Sequence, residues 1–327
     1  MTPSLLQNLW QRSLLTPWQD IDSRPKKEIR GQFVQLGYLL SGGDLSEPGA
    51  QEQILLLTKA IETLHLGSLI IDDIEDNSAT RRSGPTLHRR YGVPVALNVG
   101  NFLYFETFDQ IRRASFTEEQ KLKMYEVMIE TMWQGHRGQA LDLSVRIDDV
   151  ARAEVANVCM KSLELKSGVL MALSLRLGCL IAEKGCPTEK VTEFGIQFGM
   201  TLQMFDDIEN LRVESQNPKH LEDLILRRPS FVWVTLAEEC SSEEWQEFRE
   251  ILRDLPETKR LGDFLRRSHL REKSLAAANR RLKQILVQLK NDFRLSETAP
   301  AYVMARGLGE KLSKAYQVFQ DEKPVGI

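Results

Sequence analysis

An all-α fold is predicted for this chain by three observations. Apolar residues recur at three- and four-residue steps over long stretches, turn chemistry is concentrated between those stretches, and strand-like alternation is confined to one short run. From Gln51 to Asp76, residues Leu55, Leu56, Ala60, Leu64, Gly67, Ser68 and Ile71 mark one buried helical face. Comparable patterns predict helices over Glu118 to Leu143, Asp148 to Glu183, Glu189 to Arg212 and Leu270 to Leu289. The breaks fall at Ser41-Gly-Gly-Asp, Ser83-Gly-Pro, Gly185-Cys-Pro-Thr and Gln216-Asn-Pro. Ser230 to Leu236 reads as a strand, although Pro229 could equally start a helix there. No linker, low-complexity segment or short repeat divides the chain, so residues 1–327 read as one domain of ten or more helices.

The 327 residues, 42 % hydrophobic and 27 % charged, suffice for a large core. A net charge of -3 creates no field that would mark a nucleic-acid binder. Four cysteines without short paired spacing and five scattered histidines indicate neither a zinc site nor a disulfide framework, which suits a reducing compartment. The N-terminal residues do not read as a signal peptide, and the apolar stretch from Gly168 to Ala182 carries Arg176 and is too short to span a bilayer. A soluble, cytoplasmic protein is expected.

Two acidic clusters carry the chemistry. In Asp72-Asp73-Ile-Glu-Asp76, Asp72 and Asp76 lie one helical turn apart on one face, where like charges repel. They interrupt an apolar helix, a local conflict of the kind found at functional sites. Oxygen ligands without a nearby Cys or His suit a hard cation such as Mg²⁺, held together with substrate phosphates. Asp206-Asp207-Ile-Glu-Asn210 repeats the arrangement at the end of another amphipathic helix. One such cluster could be a solvated helix end; two of the same grammar argue for a metal site.

Basic residues accompany them. Arg81 and Arg82 follow the first cluster, Lys26, Lys27 and Arg30 form a second group, and Lys166-Ser167-Gly168 lies within an apolar helix. A lysine there is costly unless it meets an anion. Singly, each basic group is accounted for as surface charge. Beside two acidic clusters, they describe a cavity for two phosphorylated substrates.

With Asp72-Asp73-Ile-Glu-Asp76-Asn-Ser, then Arg81-Arg82-Ser-Gly-Pro, then Asp206-Asp207-Ile-Glu-Asn210, the chain resembles the trans-prenyl diphosphate synthases. Asn210 closing the second motif and Asn101 after Gly100 resemble the eukaryotic-type geranylgeranyl diphosphate synthases in particular. The likeness runs from about Pro25 to Phe231. It implies the isoprenoid synthase fold, mostly antiparallel helices around a central catalytic cavity, with the two acidic motifs facing each other at its mouth. It implies about three Mg²⁺ ions, with Asp72, Asp76 and Asp206 as ligands and Asp73, Asp207 and Asn210 in support. Arg81, Lys166, Ser167, Gln203 and Lys219 would hold an allylic diphosphate. Lys27, Arg30, His65 and Arg82 would hold isopentenyl diphosphate, and Gln139 would lie near the reacting carbons. His65 is also consistent with a buried structural histidine.

The implied reaction is head-to-tail condensation of isopentenyl diphosphate with dimethylallyl, geranyl or farnesyl diphosphate, releasing pyrophosphate, by a homodimer. Asp72, Asp76, Arg81, Lys166 and Asp206 would carry it. Product length in the family depends on the cavity floor beneath the first motif. Here Gly67 and Ser68 are small where short-chain synthases often carry an aromatic ring, so a geranylgeranyl product is expected, with Leu64 as the next stop. A bulky residue at Gly67 would then shorten the product. The chain departs from the family after Glu222-Asp223-Leu224, where Arg227-Arg228-Pro229 replaces the usual Gly-Lys. Arg228 keeps the charge but not the shape of a lysine. Two alternatives stand beside this reading: a class I terpene cyclase of the same fold, and a non-catalytic subunit of a heteromeric synthase. The basic segment from Leu270 to Lys290 reads as a solvated helix face or a membrane contact.

Overall fold

The computed structural model describes residues 4–25, 29–182, 187–212 and 221–317. Contacts group the chain into two compact units, the first comprising Met1–Gln35 and Asp44–Glu126 and the second Leu36–Gly43 and Val127–Ile327.

The first unit opens with α1 (Leu5–Trp10), a π-turn (Gln11–Leu15) and α2 (Thr16–Asp22), followed by α3 (Ile29–Leu40), whose last residues belong to the second unit. Its spine is α4 (Ala50–Glu75). A small hairpin, β1 (Thr80–Arg81) and β2 (Gly84–Pro85), leads through α5 (Leu87–Tyr91) to α6 (Val93–Arg113) and the start of α7 (Glu118–Ser144). Helix α4 is long and apolar enough to cross a membrane by length and composition, but 56 % of its apolar window is buried within the protein. It packs on α6 at a paired glycine contact. A Cβ on Gly67 would lie 3.0 Å from the Gly100 carbonyl, and one on Gly100 would lie 2.7 Å from Ile71 Cδ1. Leu66 and Ile70 of α4 join Ala96, Val99 and Leu103 of α6 in a core closed by Ile21 and Leu87.

The second unit continues through a 3-10 turn (Ile147–Asp149), α8 (Arg152–Leu163), a π-turn (Glu164–Gly168) and α9 (Val169–Ile181) to α10 (Thr188–Glu209). It ends with α11 (Glu222–Leu226), α12 (Phe231–Glu239), α13 (Ser242–Ile251), α14 (Lys259–Ser268), α15 (Leu270–Asp292) and α16 (Pro300–Gln317). The helix expected over Asp148 to Glu183 thus begins at Arg152, after the 3-10 turn, and is interrupted by the π-turn. The run after Ser230 is helix α12, not a strand. It lacks polar alternation because Phe231 through Leu236 are all buried, so neither period is visible in the sequence. Trp233 is wholly enclosed, edge-on to Phe248 at 5.3 Å. Helix α13 begins with a capping box in which Ser241 Oγ accepts from Glu244 N and Glu244 accepts from Ser241 N. The basic face expected on α15 is divided. Arg280 is exposed, whereas Arg281 donates to Gln197 of α10 and Arg271 approaches Glu209 of α10 at 3.9 Å.

Candidate active site

In the first unit, Asp72, Asp73 and Asp76 occupy the last turn of α4, where the Asp76 N–H donates to the Asp72 carbonyl at 2.9 Å. The hairpin that follows turns the chain back on this end. Its two central residues, Arg82 and Ser83, hold φ of 51° and 60°, the left-handed pair that a two-residue hairpin demands and that Asn-Gly would fill more comfortably. Arg24 clamps the hairpin, donating to the carbonyls of Arg81 and Pro85, each at 2.9 Å. Arg81 is thereby aimed at α4. Its Nε donates to both oxygens of buried Asp73, at 2.9 and 3.0 Å, and its Nη2 donates to Asp72 at 3.2 Å. Asp73 is 1 % exposed and matched by a forked guanidinium, a supporting position, while Asp72 and Asp76 remain partly accessible.

Two to three turns earlier on α4, His65 meets a cationic group. Burial, then Arg30, Arg82 and Arg81, hold its imidazole well below the usual histidine range, so it is neutral at physiological pH. Its Nδ1 and the Arg82 Nη1 are both enclosed without a hydrogen-bond partner in the structure. Arg30 approaches Glu62 at 3.8 Å. The structure therefore brings together Arg30, His65 and Arg82; Lys26 and Lys27 lie outside the described residues. An unpartnered buried donor such as Arg82 Nη1 is what an anionic ligand would satisfy.

The proposed floor residues fall differently. Leu64 is buried, and Ser68 is half-buried with its hydroxyl donating to the His65 carbonyl at 2.8 Å. Gly67 does not look into open space. A Cβ there would meet the Gly100 carbonyl at 3.0 Å, Leu103 Cβ at 3.2 Å and Tyr104 Cδ1 at 3.3 Å. The expectation that a bulky residue at Gly67 would merely narrow a cavity is therefore corrected, because its first carbon is already tight against α6, whose atoms would have to give by a few tenths of an ångström. Tyr104, which the sequence reading did not select, is half-buried, and its hydroxyl is pushed up to about 12 by burial and by the nearby carboxylates of Glu75 and Asp72. Only its three-dimensional place on α6, beside the acidic turn of α4, singles it out.

In the second unit, the π-turn at Glu164–Gly168 holds Lys166 and Ser167. Such turns recur at functional sites because the extra residue re-aims side chains that a regular helix would point elsewhere. Helix α7 crosses here at Gly138, where a Cβ would lie 3.0 Å from Lys166 N, so half-buried Gln139 borders the same place. Lys166 Nζ donates to Asp142 at 2.8 Å, and Arg228 Nη1 donates to the Asp142 carbonyl at 2.7 Å. Ser167 Oγ donates to Gln203 Oε1 at 2.9 Å, and Gln203 Nε2 donates to Asp207 at 2.9 Å.

The second acidic motif ends α10. Asp207 is 4 % exposed and accepts from Gln203 through one oxygen and from the Phe231 N–H, at 2.7 Å, through the other. Burial, then Asp223, push its carboxyl well above the usual range. With both oxygens engaged by the protein, Asp207 stands as a support for its neighbours. Asp206 is partly accessible and accepts from the Tyr316 hydroxyl. Asn210 Nδ2 donates to Asp223 at 2.8 Å. Lys219 lies outside the described residues.

The departure at Arg227-Arg228 also has a structural account. Arg227 holds φ 60° and ψ 34°, the left-handed conformation a glycine would adopt freely. Its side chain compensates by donating to the Leu252 carbonyl at 2.6 Å and pairing with Asp148 at 3.4 Å. Arg228 joins Lys166 at Asp142 and so stays with the site.

Among the described residues no three His, Cys, Asp or Glu side chains form a ready-made metal centre. The donor set nevertheless fits Mg²⁺, which takes one or two carboxylates and completes its shell with water and substrate phosphate. Asp72 and Asp76 in the first unit and Asp206 in the second are partly accessible and would supply such carboxylates.

The sequence pattern of the polyprenyl synthetase family matches residues 11–265, which include parts of both units. The geranylgeranyl pyrophosphate synthase of Dictyostelium discoideum is 32 % identical over 221 residues, 67 % of each chain. The quiannulatene synthase of Emericella variicolor is 31 % identical over 64 % of this chain, which spans only 26 % of that protein's length. Among solved structures, the geranylgeranyl pyrophosphate synthase of Corynebacterium glutamicum, complexed with isoprenyl diphosphate and magnesium, superposes with a TM-score of 0.80 at 18 % identity, over 95 % of this chain and 92 % of that one. The geranylgeranyl pyrophosphate synthetase of Pyrococcus horikoshii gives 0.75 at 23 % identity, over 93 % and 90 %. These likenesses establish the all-α prenyl synthase fold.

Proposed function

The chain belongs to the polyprenyl synthetase family, and from that premise we propose that it is a Mg²⁺-dependent prenyltransferase making geranylgeranyl diphosphate from isopentenyl diphosphate and an allylic diphosphate. The observation that carries this reading is the repetition of Asp-Asp-Ile-Glu at the ends of α4 and α10, each with its first aspartate accessible and its second buried and braced.

Asp72, Asp76 and Asp206 would hold about three Mg²⁺ ions with the allylic diphosphate. When bound, the metal neutralises the diphosphate as a leaving group. Arg81 and Lys166 add fixed positive charge and are already oriented by Asp73 and Asp142, so little reorganisation is needed as the allylic C–O bond ionises. Arg30, Arg82 and neutral His65 would bind isopentenyl diphosphate and present its double bond to the cation. The proton lost in closing the new double bond goes to the departing pyrophosphate. These side chains supply charge and position, and no covalent intermediate with the protein is required.

We take the two units as one synthase domain, a reading the span of the family match supports. A homodimer is supported by Val93, Leu97 and Phe105, exposed at helical spacing along α6. A reducing, cytoplasmic setting is supported by the buried thiols of Cys159 and Cys240.

The test is product analysis after incubation with Mg²⁺, isopentenyl diphosphate and five-, ten- or fifteen-carbon allylic starters. Geranylgeraniol after dephosphorylation, abolished by EDTA or Asp72→Ala, is the expected outcome. Hydrocarbon formed from geranylgeranyl diphosphate alone would overturn it in favour of a cyclase.

A further inference from the structure

Asp206 is the accessible carboxylate of the second motif, yet it is reached from behind by a residue more than a hundred positions downstream. Tyr316, near the end of α16, donates its hydroxyl to Asp206 Oδ1. Its ring stacks on Phe205, the preceding residue of α10, with centroids 5.3 Å apart and planes 29° from parallel. Tyr316 is 7 % exposed and Phe205 fully buried. The phenol is thus fixed in two ways, by its ring and by its hydroxyl. Helix α16 is itself secured in the second unit, with Ala305, Leu308 and Leu312 buried and Ser313 Oγ donating to Asn279 of α15 at 2.8 Å.

A buried phenol requires a hydrogen-bond partner, but a carboxylate at a helix end facing water is an unusual choice for one. The arrangement has a second effect on the acceptor. With one oxygen engaged by a rigid donor, Asp206 is held in one rotamer. Carboxylates that ligate metals are commonly oriented by donors of this kind, and losing the donor typically weakens metal binding about 10–100-fold.

We propose that Tyr316 is a positioning residue for the second metal-binding motif, through which the docked C-terminal helix sets the affinity of Asp206 for divalent cations. This rests on the reading of Asp206 as a metal ligand. Asp207 and Asn210 are braced by partners close in sequence or from α11 and α12, so Asp206 alone in the motif depends on α16.

The test is direct binding of Mn²⁺, a paramagnetic substitute for Mg²⁺, followed by electron paramagnetic resonance in the presence of inorganic pyrophosphate. Full-length wild type, Tyr316→Phe and Asp206→Ala are compared. Tyr316→Phe keeps the ring stack and removes only the hydroxyl. It is expected to weaken Mn²⁺ binding about 10–100-fold and to leave the unfolding temperature unchanged. Asp206→Ala binding Mn²⁺ like wild type would refute the metal role of Asp206 itself. Loss of binding in Asp206→Ala with wild-type binding in Tyr316→Phe would refute only the role of Tyr316. Tighter binding in Tyr316→Phe would overturn it too, marking the phenol as a plug. If Tyr316→Phe also lowers the unfolding temperature, Phe248→Leu, buried against Trp233 and Phe264 rather than α16, provides a destabilised control. Equal weakening of Mn²⁺ binding in both variants would assign the effect to lost stability and overturn the proposal.

Discussion

Replacing Gly67 by a larger residue separates two accounts of product length. If α4 presents Gly67 to the growing chain, phenylalanine there fills empty space and shortens the product. The contacts argue otherwise. The first added carbon already lies 3.0 Å from the Gly100 carbonyl, 3.2 Å from Leu103 Cβ and 3.3 Å from Tyr104 Cδ1. Two of these could shift, but the carbonyl belongs to the backbone of α6. For alanine, crowding costs about 1–3 kcal/mol and is partly offset by the ~1 kcal/mol helix-propensity advantage over glycine, so a modest loss is expected. For phenylalanine the ring must drive α4 and α6 apart. The cost then exceeds about 3 kcal/mol, a large share of the roughly 5–15 kcal/mol that stabilises a typical domain. Urea denaturation of Gly67→Ala and Gly67→Phe, with product analysis of each, measures both quantities. Expected is a graded fall in stability, with residual product of wild-type length. A stable Gly67→Phe enzyme that releases a shorter alcohol would refute the packing argument and restore Gly67 to the cavity floor.

Two further outcomes follow from the charges. His65 is held neutral in the folded protein, so below about pH 6.5, the ordinary histidine value, the unfolded chain takes up a proton that the folded one does not. Wild type should therefore lose stability relative to His65→Gln by about 1 kcal/mol between pH 6.5 and 5.5, read by urea denaturation at each pH; parallel profiles would contradict it. Asp142→Asn removes the carboxylate that meets Lys166 and leaves two half-buried cations together. Stability without ligand should fall by about 1–3 kcal/mol, discounted from the fully buried case because Lys166 is partly solvated. Inorganic pyrophosphate should recover part of that loss in a thermal-shift assay.

Both acidic motifs were legible in the sequence because carboxylates at helical spacing conflict with an apolar face. The helices that carry them were legible from the same periodicity. Asp73 and Asp207 were legible as members of each cluster, but their burial was not, since it depends on Arg81 from a hairpin and on the Phe231 N–H from another helix. Helix α12 could not be distinguished from a strand, because a segment buried on all sides has no polar face to reveal its period. Gly67 misled for a related reason. A small residue has the same letter whether it borders a cavity or a neighbouring helix, and only the position of Gly100 decides. Arg227 is the converse case. The residue differs from the family's usual glycine, yet the backbone keeps the left-handed turn. Tyr316 was invisible because a tyrosine on a C-terminal amphipathic helix reads as core.

The π-turn between α8 and α9 has a consequence for how this chain can change length. A five-residue turn within a helix amounts to one residue more than the regular path needs. Deleting one residue from Glu164 to Gly168 would let the helix close into continuous α geometry, and because the bulge absorbs the extra residue locally, the helix beyond it would keep its phase. Leu173, Leu175 and Leu177 would stay on their buried faces. The loss would be local: Lys166 and Ser167, which the bulge directs at Asp142 and Gln203, would be re-aimed. A deletion within α8 or α9 proper would instead rotate everything beyond it by about 100°, one residue's share of a 3.6-residue turn. The extra residue thus serves the site rather than the packing of the helix.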